Sequence, residues 1–266
     1  MSLSIVITTL DEEANITACV EGARLLSDDV LVVDSGSRDR TVPLAEAAGA
    51  RCLVRPFDDM ASQRNAALRD GGLTGTHALV LDADEVVTPP FADALRKLLD
   101  ARPELDGVRI CRRFHFWGRW VPSASSFPRY IDRVVRVGAV WFTKDGHGEV
   151  FQGGTTFARL DEPLHDEDKK GIGAWIGRHN RYAELEARRD RQLRAGPAQP
   201  TSPPWLRAML REVPGFPVAM GAYYLLARGG LFEGREGRTY GTMKAVYEYL
   251  IQLHARDLAQ RERRRA

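Results

Sequence analysis

The run Ala78-Leu79-Val80-Leu81-Asp82-Ala83-Asp84-Glu85 constrains this chain more than any other stretch. Four apolar residues stop abruptly at three carboxylates. So short and continuous a run suits a strand covered on both faces, as in a parallel sheet. Carboxylates inside such a sheet are costly unless paired or bound to metal. They are expected just past the strand's C-terminal end, where open α/β sheets bind ligands. Two Asp side chains one residue apart can share one hard divalent cation and the phosphates it holds. Taken alone, Asp-x-Asp fits an acidic surface turn equally well, so the rest of the chain must decide.

Residues 3–9, 30–34 and 51–54 read as further short strands. Between and after them lie helix-length segments. Asp11-Glu12-Glu13-Ala14-Asn15 is expected to open a helix, with acidic residues in the first turn where the helix dipole favours them. Residues 39–49, 60–68 and 89–100 are expected to be helical, Gly49 closing the first of these and Pro89-Pro90 opening the last. Strands alternating with helices imply right-handed parallel β-α-β units. Three strand ends are then acidic: Asp11-Glu12, Asp34, and Asp82-Ala83-Asp84. A parallel sheet lines all three along one edge, which favours a binding site over scattered solvated turns.

No Gly-x-Gly-x-x-Gly follows the first strand, and there is no Gly-x-x-x-x-Gly-Lys. Both absences argue against a dinucleotide-binding oxidoreductase and a P-loop NTPase. A diphosphate held by acidic residues needs a bridging cation, so the pattern reads as a metal–nucleotide site. The chain's 266 residues, 28% of them charged, suffice for one α/β domain plus a smaller extension. The division is expected as 1–168 and 169–266. Residues 1–168 carry 19 Lys/Arg against 27 Asp/Glu, and residues 169–266 carry 19 against 9. The basic part can meet an anionic surface. Cys19, Cys52 and Cys111 have no metal-type spacing and are expected as reduced thiols in a cytosolic protein, with no signal sequence at Ile5-Val6-Ile7.

Thr8-Thr9-Leu10-Asp11-Glu12-Glu13, Val32 through Thr41, Gln63-Arg64-Asn65-Ala66 and Leu81-Asp82-Ala83-Asp84-Glu85 resemble, in order, the motifs of the inverting family 2 glycosyltransferases. The resemblance implies the GT-A fold, a Rossmann-like, mostly parallel sheet sandwiched by helices, here with a C-terminal helical, amphipathic extension. Phe116-Trp117-Gly118-Arg119-Trp120, Tyr130 through Arg136, Leu164-His165, Asn180-Arg181-Tyr182 and Gly230 through Gly237 look more loosely like the branch that builds lipopolysaccharide cores by adding glucose to an inner-core heptose. By this resemblance Thr9, Leu10 and Glu12 line the base and ribose pocket of a UDP-sugar. Leu10 stands where relatives often carry a stacking aromatic. Asp34 accepts a hydrogen bond from the uracil, Arg64 lies near the diphosphate, and Asp82 lies near the ribose and metal. Asp84 is the direct ligand of Mg²⁺ or Mn²⁺, as hard oxygen donors suit. His165 is a further candidate for the metal or diphosphate.

Inverting transfer also needs a general base, usually a carboxylate, on the acceptor side. Residues 145–150 are the best source: Glu149 first, with Asp145 and His147 as rivals, because Gly148 separates a His-Glu pair that relatives keep adjacent. Arg113, Trp117, Arg133 and Arg136 are expected to hold a phosphorylated, lipid-linked or lipopolysaccharide-type glycan acceptor, since Arg suits phosphate and aromatic rings pack on sugars. A sugar nucleotidyltransferase is the competing enzyme, but it would open with a Gly-rich loop. A non-catalytic nucleotide-sugar-binding protein is the competing non-enzyme.

Residues 172–192 are expected to be helical, followed by a Pro-rich linker that extends to Pro203-Pro204. Residues 213–227 carry no charge but are shorter than the ~20 residues of a membrane span. With Trp205, Tyr223, Tyr224 and flanking Arg, they read as a segment lying on a bilayer. The expected setting is cytoplasmic and peripheral on the inner face of the cytoplasmic membrane. Nucleic acid is not an expected partner, because no such motif accompanies the charge.

Overall fold

The computed structural model describes residues 2–125, 127–145, 148–197 and 202–264. The chain divides into two compact units. The first runs to Trp120 and resumes over Ser125–Lys169; the second joins Val121–Ala124 to the chain from Lys170 onward.

The first unit opens with β1 (Leu3–Thr9), α1 (Ile16–Arg24), β2 (Val30–Asp34), α2 (Thr41–Ala47), β3 (Arg51–Val54), α3 (Met60–Asp70) and β4 (His77–Asp82). There follow β5 (Glu85–Val86), α4 (Pro89–Ala101), β6 (Gly107–Phe116), β7 (Arg119–Trp120), then the short α5 (Pro122–Ser125), which but for Ser125 belongs to the second unit, and again in the first unit β8 (Tyr130–Arg136), β9 (Val140–Asp145), β10 (Gly148–Gly153) and β11 (Phe157–Asp166). The main sheet has the order β3-β2-β1-β4-β8-β6-β11-β5. β3, β2, β1 and β4 run parallel, as the α/β alternation implies, and β8 then enters antiparallel between β4 and β6. β9 and β10 form a separate hairpin.

Both faces of β1, β2 and β4 are covered, which explains their continuous apolar runs, while β3 at the sheet edge is largely exposed. Ile5, Ile7, Val32, Leu79 and Leu81 point to one face and pack under α1 and α4, through Val20, Phe91 and Leu95. Their neighbours Val6, Val33, Ala78 and Val80 point to the other face. There they meet Ala61 and Ala67 of α3 and Phe142 and Phe151 of the hairpin. Register fixes the acidic edge: Thr8 sits opposite Asp82, and Thr9 opposite Asp34.

The helix expected from Asp11 begins only at Ile16. Asp11 takes a left-handed backbone, φ 53°, which a right-handed helix excludes. The acidic residues bond the next loop instead of a helix dipole. The amides of Asp11, Glu12 and Glu13 donate to Ser37 Oγ, Thr41 Oγ1 and Asp39 Oδ2, at 2.8, 2.7 and 3.1 Å. The Arg38 amide returns a bond to Asp11 Oδ1 at 2.8 Å. The loops after β1 and β2 therefore brace each other.

At the opposite end of the sheet, Asp29 ties three segments together. It accepts from Ser4 Oγ (2.5 Å), the Thr74 amide (2.8 Å), Thr74 Oγ1 (2.9 Å) and Arg51 Nη2 (2.8 Å). Burial works to raise its carboxyl, but the Ser4, Thr74 and Arg51 bonds prevail and bring it down to about 2. A depressed acid stabilises the fold above its unfolded value of about 4 and loses that contribution as pH falls toward 2. Asp29→Asn should lower the unfolding free energy at neutral pH by about 2 kcal/mol. In urea titrations across a pH series, the gap to wild type should close between about pH 5 and 2.

The second unit contains α6 (Gly171–Ala195), α7 (Pro203–Leu210), α8 (Phe216–Ala222), a π-helical turn (Tyr223–Ala227), a 3-10 turn (Gly230–Phe232) and α9 (Gly234–Arg263). Pro203-Pro204, expected in a linker, instead open α7, where a missing amide proton is harmless. Ala183, Ala187 and Ile251 form a small core. Beside it Arg211, only 6% exposed, binds Glu248, Asp190 and Glu186 at 2.7, 2.9 and 3.1 Å. A Cβ on Gly221 would lie 2.9 Å from Ala245 Cβ, so glycine lets α8 seat closely on α9. Among the described residues no helix is long and apolar enough to cross a membrane.

Candidate active site

The acidic end of β4 is the centre of a charge network. Asp82, 29% exposed, receives Arg64 Nη2 on Oδ1 at 2.6 Å and Arg133 Nη2 on Oδ2 at 2.5 Å. Glu85 is fully buried. Its Oε1 meets Arg133 at 2.8 Å and Arg112 at 3.0 Å, and its Oε2 accepts the Asp82 amide at 2.9 Å. Arg112 also reaches Asp166 Oδ2 at 3.1 Å. Buried charges persist in this way when each is paired and hydrogen-bonded. Although burial opposes its ionisation, the guanidiniums of Arg133, Arg64 and Arg112 hold Asp82 well below the usual carboxylate range. Burial, with Arg133 alongside, draws Arg64 down to about 10, which leaves it protonated at neutral pH.

Asp84 behaves oppositely. Burial first, then the charges of Asp166, Asp82, Glu85 and Glu12, push its carboxyl well up. Asp166 rises to about 6 through burial, with Glu85 and Asp82 adding to the rise and Arg112 offsetting part of it. The backbone brings the two segments together, since the Glu167 amide donates to the Asp84 carbonyl at 3.0 Å. Glu12, Asp82, Asp84, Glu85 and Asp166 lie around three guanidiniums, those of Arg64, Arg112 and Arg133, so the carboxyl groups outnumber the guanidiniums by two, and once ionised would leave an excess of two negative charges. A single dication balances that excess, and the donors are hard oxygens, as Mg²⁺ or Mn²⁺ require. Among the described residues no three His, Cys, Asp or Glu side chains form a ready cage. Mg²⁺ commonly takes one or two carboxylates and completes its shell with water and substrate phosphate, so Asp84 with Asp166 fits such an ion.

The segment Gln63-Arg64-Asn65 has a clear structural logic. Three successive side chains on α3 reach three different places. Gln63 donates to Ser35 Oγ at 2.9 Å, Arg64 holds Asp82, and Asn65 bonds both the carbonyl and the amide of Phe142 on β9 at 2.8 Å. Arg64 was expected near a diphosphate; it is only 1% exposed and its Nη2 is on Asp82. Asp34 is also buried. It holds the turn after β2 by accepting the Gly36 and Ser37 amides at 2.9 and 2.8 Å. Thr9 is buried at the end of β1, with its hydroxyl unbonded among the described residues. Leu10 beside it is 48% exposed, and Glu12 accepts Asn15 Nδ2 at 2.7 Å. Thr9, Leu10, Glu12, Asp34 and Asp82 thus gather at one edge.

Other expected residues are separated. His165 does not face the carboxylates. Successive strand residues point to opposite faces, so Asp166 joins Arg112 while His165 packs on His115, ring centres 4.6 Å apart. Asp166 was therefore the overlooked carboxylate. The strand before it, Arg159-Leu160-Asp161-Glu162-Pro163-Leu164-His165, is not an apolar run, so the pattern that singles out Asp82 does not flag it; the only local signal is the acidic run Asp166-Glu167-Asp168. Arg133 is not an open acceptor contact, because it is 4% exposed and committed to Asp82 and Glu85. Arg136 lies at the far end of β4, opposite His77, and binds Asp106 at 3.1 Å. Arg113 lies over the Trp120 ring at 5.0 Å, and Trp117, 48% exposed, stacks on Phe116 at 4.5 Å. Arg113 and Trp117 thus stay together on the β6–β7 hairpin. Of the candidate bases, His147 lies outside the described residues, as do the side chains of Asp145 and Glu149.

Comparison with known proteins agrees with this geometry. The model of Glycosyl transferase family 2 matches residues 4–151, more than half of the chain. The lipopolysaccharide core biosynthesis glycosyltransferase LpsC of Rhizobium meliloti is 29% identical over 204 residues, which cover 74% of this chain and 73% of LpsC. A TPR repeat-containing protein of Synechococcus elongatus is 37% identical over 111 residues, 41% of this chain, but the match spans only 27% of that protein. Two solved structures share the fold. S. aureus TarS 1–349 in complex with UDP-GlcNAc has a TM-score of 0.52 at 15% identity, covering 98% of this chain and 92% of its own. The mannosyltransferase PcManGT from Pyrobaculum calidifontis, in complex with GDP-Man and Mn²⁺, has a TM-score of 0.50 at 19% identity, covering 96% and 86%. With the parallel sheet and its acidic edge, the family match leads to one conclusion: this chain belongs to glycosyl transferase family 2 and is a glycosyltransferase.

Proposed function

We propose that the protein transfers a hexose, glucose in the first instance, from a UDP-sugar to a lipid-linked or lipopolysaccharide-core glycan, with inversion and with a divalent metal. The observation that carries this reading is the carboxylate pair at the acidic edge, Asp84 raised by its acidic neighbours and Asp166 held by Arg112, beside an Asp82 locked by Arg64 and Arg133. The likeness to LpsC supports the acceptor class. The setting is the inner face of the cytoplasmic membrane, where nucleotide sugar and growing glycolipid meet.

In this mechanism Thr9, Leu10 and Glu12 border the nucleoside, and Asp34 keeps the loop beside them in shape. Asp84 and Asp166 would hold the cation, which when bound would supply Lewis-acid stabilisation of the charge that develops on the diphosphate. Arg64 and Arg133 fix Asp82 so that it needs no reorganisation during the reaction. Arg113 and Trp117 orient the acceptor. The acceptor hydroxyl loses its proton to the base and bonds the anomeric carbon. The bond from that carbon to the diphosphate oxygen breaks, its electron pair leaving with UDP.

Glu149 is the assigned base. Glu149→Gln should bind the donor normally and lose transfer by about 10²–10⁴-fold, measured as product formed from labelled UDP-glucose and a heptose-terminated acceptor. Unchanged transfer would move the role to Asp145 or His147.

A further inference from the structure

In the second unit, residues 213–227 carry no charge and present an exposed apolar face, with Glu212 and Arg228 at the two ends of the stretch. Pro217 and Gly221 of α8 are buried, and Gly221 and Gly241 allow close seating of this segment on α9. The opposite side of the same segment exposes Val218 (74%), Tyr223 (46%) and Leu226 (66%), flanked by Val213 (53%) and Phe232 (83%). An outer helix face normally carries polar or charged residues. Here residues 213–227 hold none, and clustered exposed apolar side chains mark an interaction site.

The surroundings select the partner. Residues 202–266 carry eleven Lys/Arg against six Asp/Glu. Arg235 and Arg238 are exposed close beyond Phe232. A tyrosine beside an apolar face ringed by arginines matches the layering of a bilayer surface: hydrocarbon, then the interfacial zone, then anionic headgroups. A short helix that contains Pro217 and is followed by a π-turn cannot span, but it can lie in the interface plane.

We infer that the face formed by Val218, Leu226 and Phe232 inserts into the headgroup boundary of an anionic phospholipid bilayer, with Arg235 and Arg238 against the phosphates. This docking is independent of the donor and acceptor assignments, and its test does not use turnover.

The full chain is sedimented with phosphatidylcholine vesicles and with vesicles containing phosphatidylglycerol. Binding should require the anionic lipid and should weaken with salt. The triple variant Val218→Glu, Leu226→Glu, Phe232→Glu should bind more than tenfold more weakly while keeping the wild-type melting temperature, because all three side chains are exposed. Arg235→Ala with Arg238→Ala should weaken binding about tenfold. The inference is overturned if the wild-type chain ignores anionic vesicles, if it binds neutral vesicles equally well, or if the triple variant binds undiminished. It is also overturned if ultracentrifugation without lipid shows self-association that the triple variant abolishes, which would give the face to a second copy of the chain.

Discussion

Asp84→Ala is expected to reduce metal-dependent release of UDP from a UDP-sugar by at least about a thousandfold, because a cation at a leaving diphosphate is worth several kcal/mol. Loss of folding would not account for such a result. The Asp84 carboxyl is raised by burial and by the charges of Asp166, Asp82, Glu85 and Glu12. A raised acid favours the protonated form in the fold, so its ionisation opposes folding increasingly as pH climbs past the unfolded value of about 4. Without metal, the variant should therefore melt at or above the wild-type temperature at neutral pH. Added Mn²⁺ with UDP should raise the melting point of wild type but not of the variant. In wild type that increment should shrink as pH drops through about 6, where Asp166 takes up its proton and proton and metal compete for the same oxygens. A variant with full turnover would sink the assignment of the cation to this edge.

Arg133→Ala should produce the largest loss of stability of any single change in the first unit. Arg133 is 4% exposed and joins Asp82 to Glu85 through one nitrogen. Its removal leaves a fully buried Glu85 with Arg112 at 3.0 Å as its remaining ion-pair partner. Breaking one side of a buried ionic network costs about 3–5 kcal/mol, since the remaining charge stays out of water. Urea unfolding should detect a loss of that order. Arg133→Lys should recover part of it, keeping the charge but not the fork of donors. Donor affinity should fall as well, because Asp82 would keep Arg64 at 2.6 Å but on its other oxygen only the more distant Arg112, at 3.9 Å. A loss below about 1 kcal/mol would place Arg133 among ordinary surface pairs and remove the argument that Asp82 is preorganised.

These two residues also show how far the sequence could be read. The place of Asp84 at the acidic edge was legible because its signal is local: four apolar residues, then carboxylates, in a chain where other strands end the same way. Arg133 was not legible in its true role. Its sequence neighbourhood, rich in arginine, suggested an exposed anion-binding patch. Its actual partner is 51 residues away, on a strand that β8 meets antiparallel. His165 and Asp166 differ by one position, and only the register of β11 against β6 decides which of them faces Arg112.

The sequence by itself determined the α/β alternation, the parallel run of the first strands, the two-sided burial of β1, β2 and β4, and the acidic edge they create. All of these follow from periodicities and stop signals within a dozen residues, and local preferences are printed directly in the chain. Tertiary structure alone decided that Arg64 and Arg133 clamp Asp82, that Asp166 completes the carboxylate group, that Arg136 lies at the other end of its strand, and that Asp11 to Asn15 brace a loop instead of starting a helix. Those outcomes depend on which distant strands pair, in which direction and in which register. A shift of one residue there turns every side chain to the opposite face, and no short stretch of sequence encodes that choice.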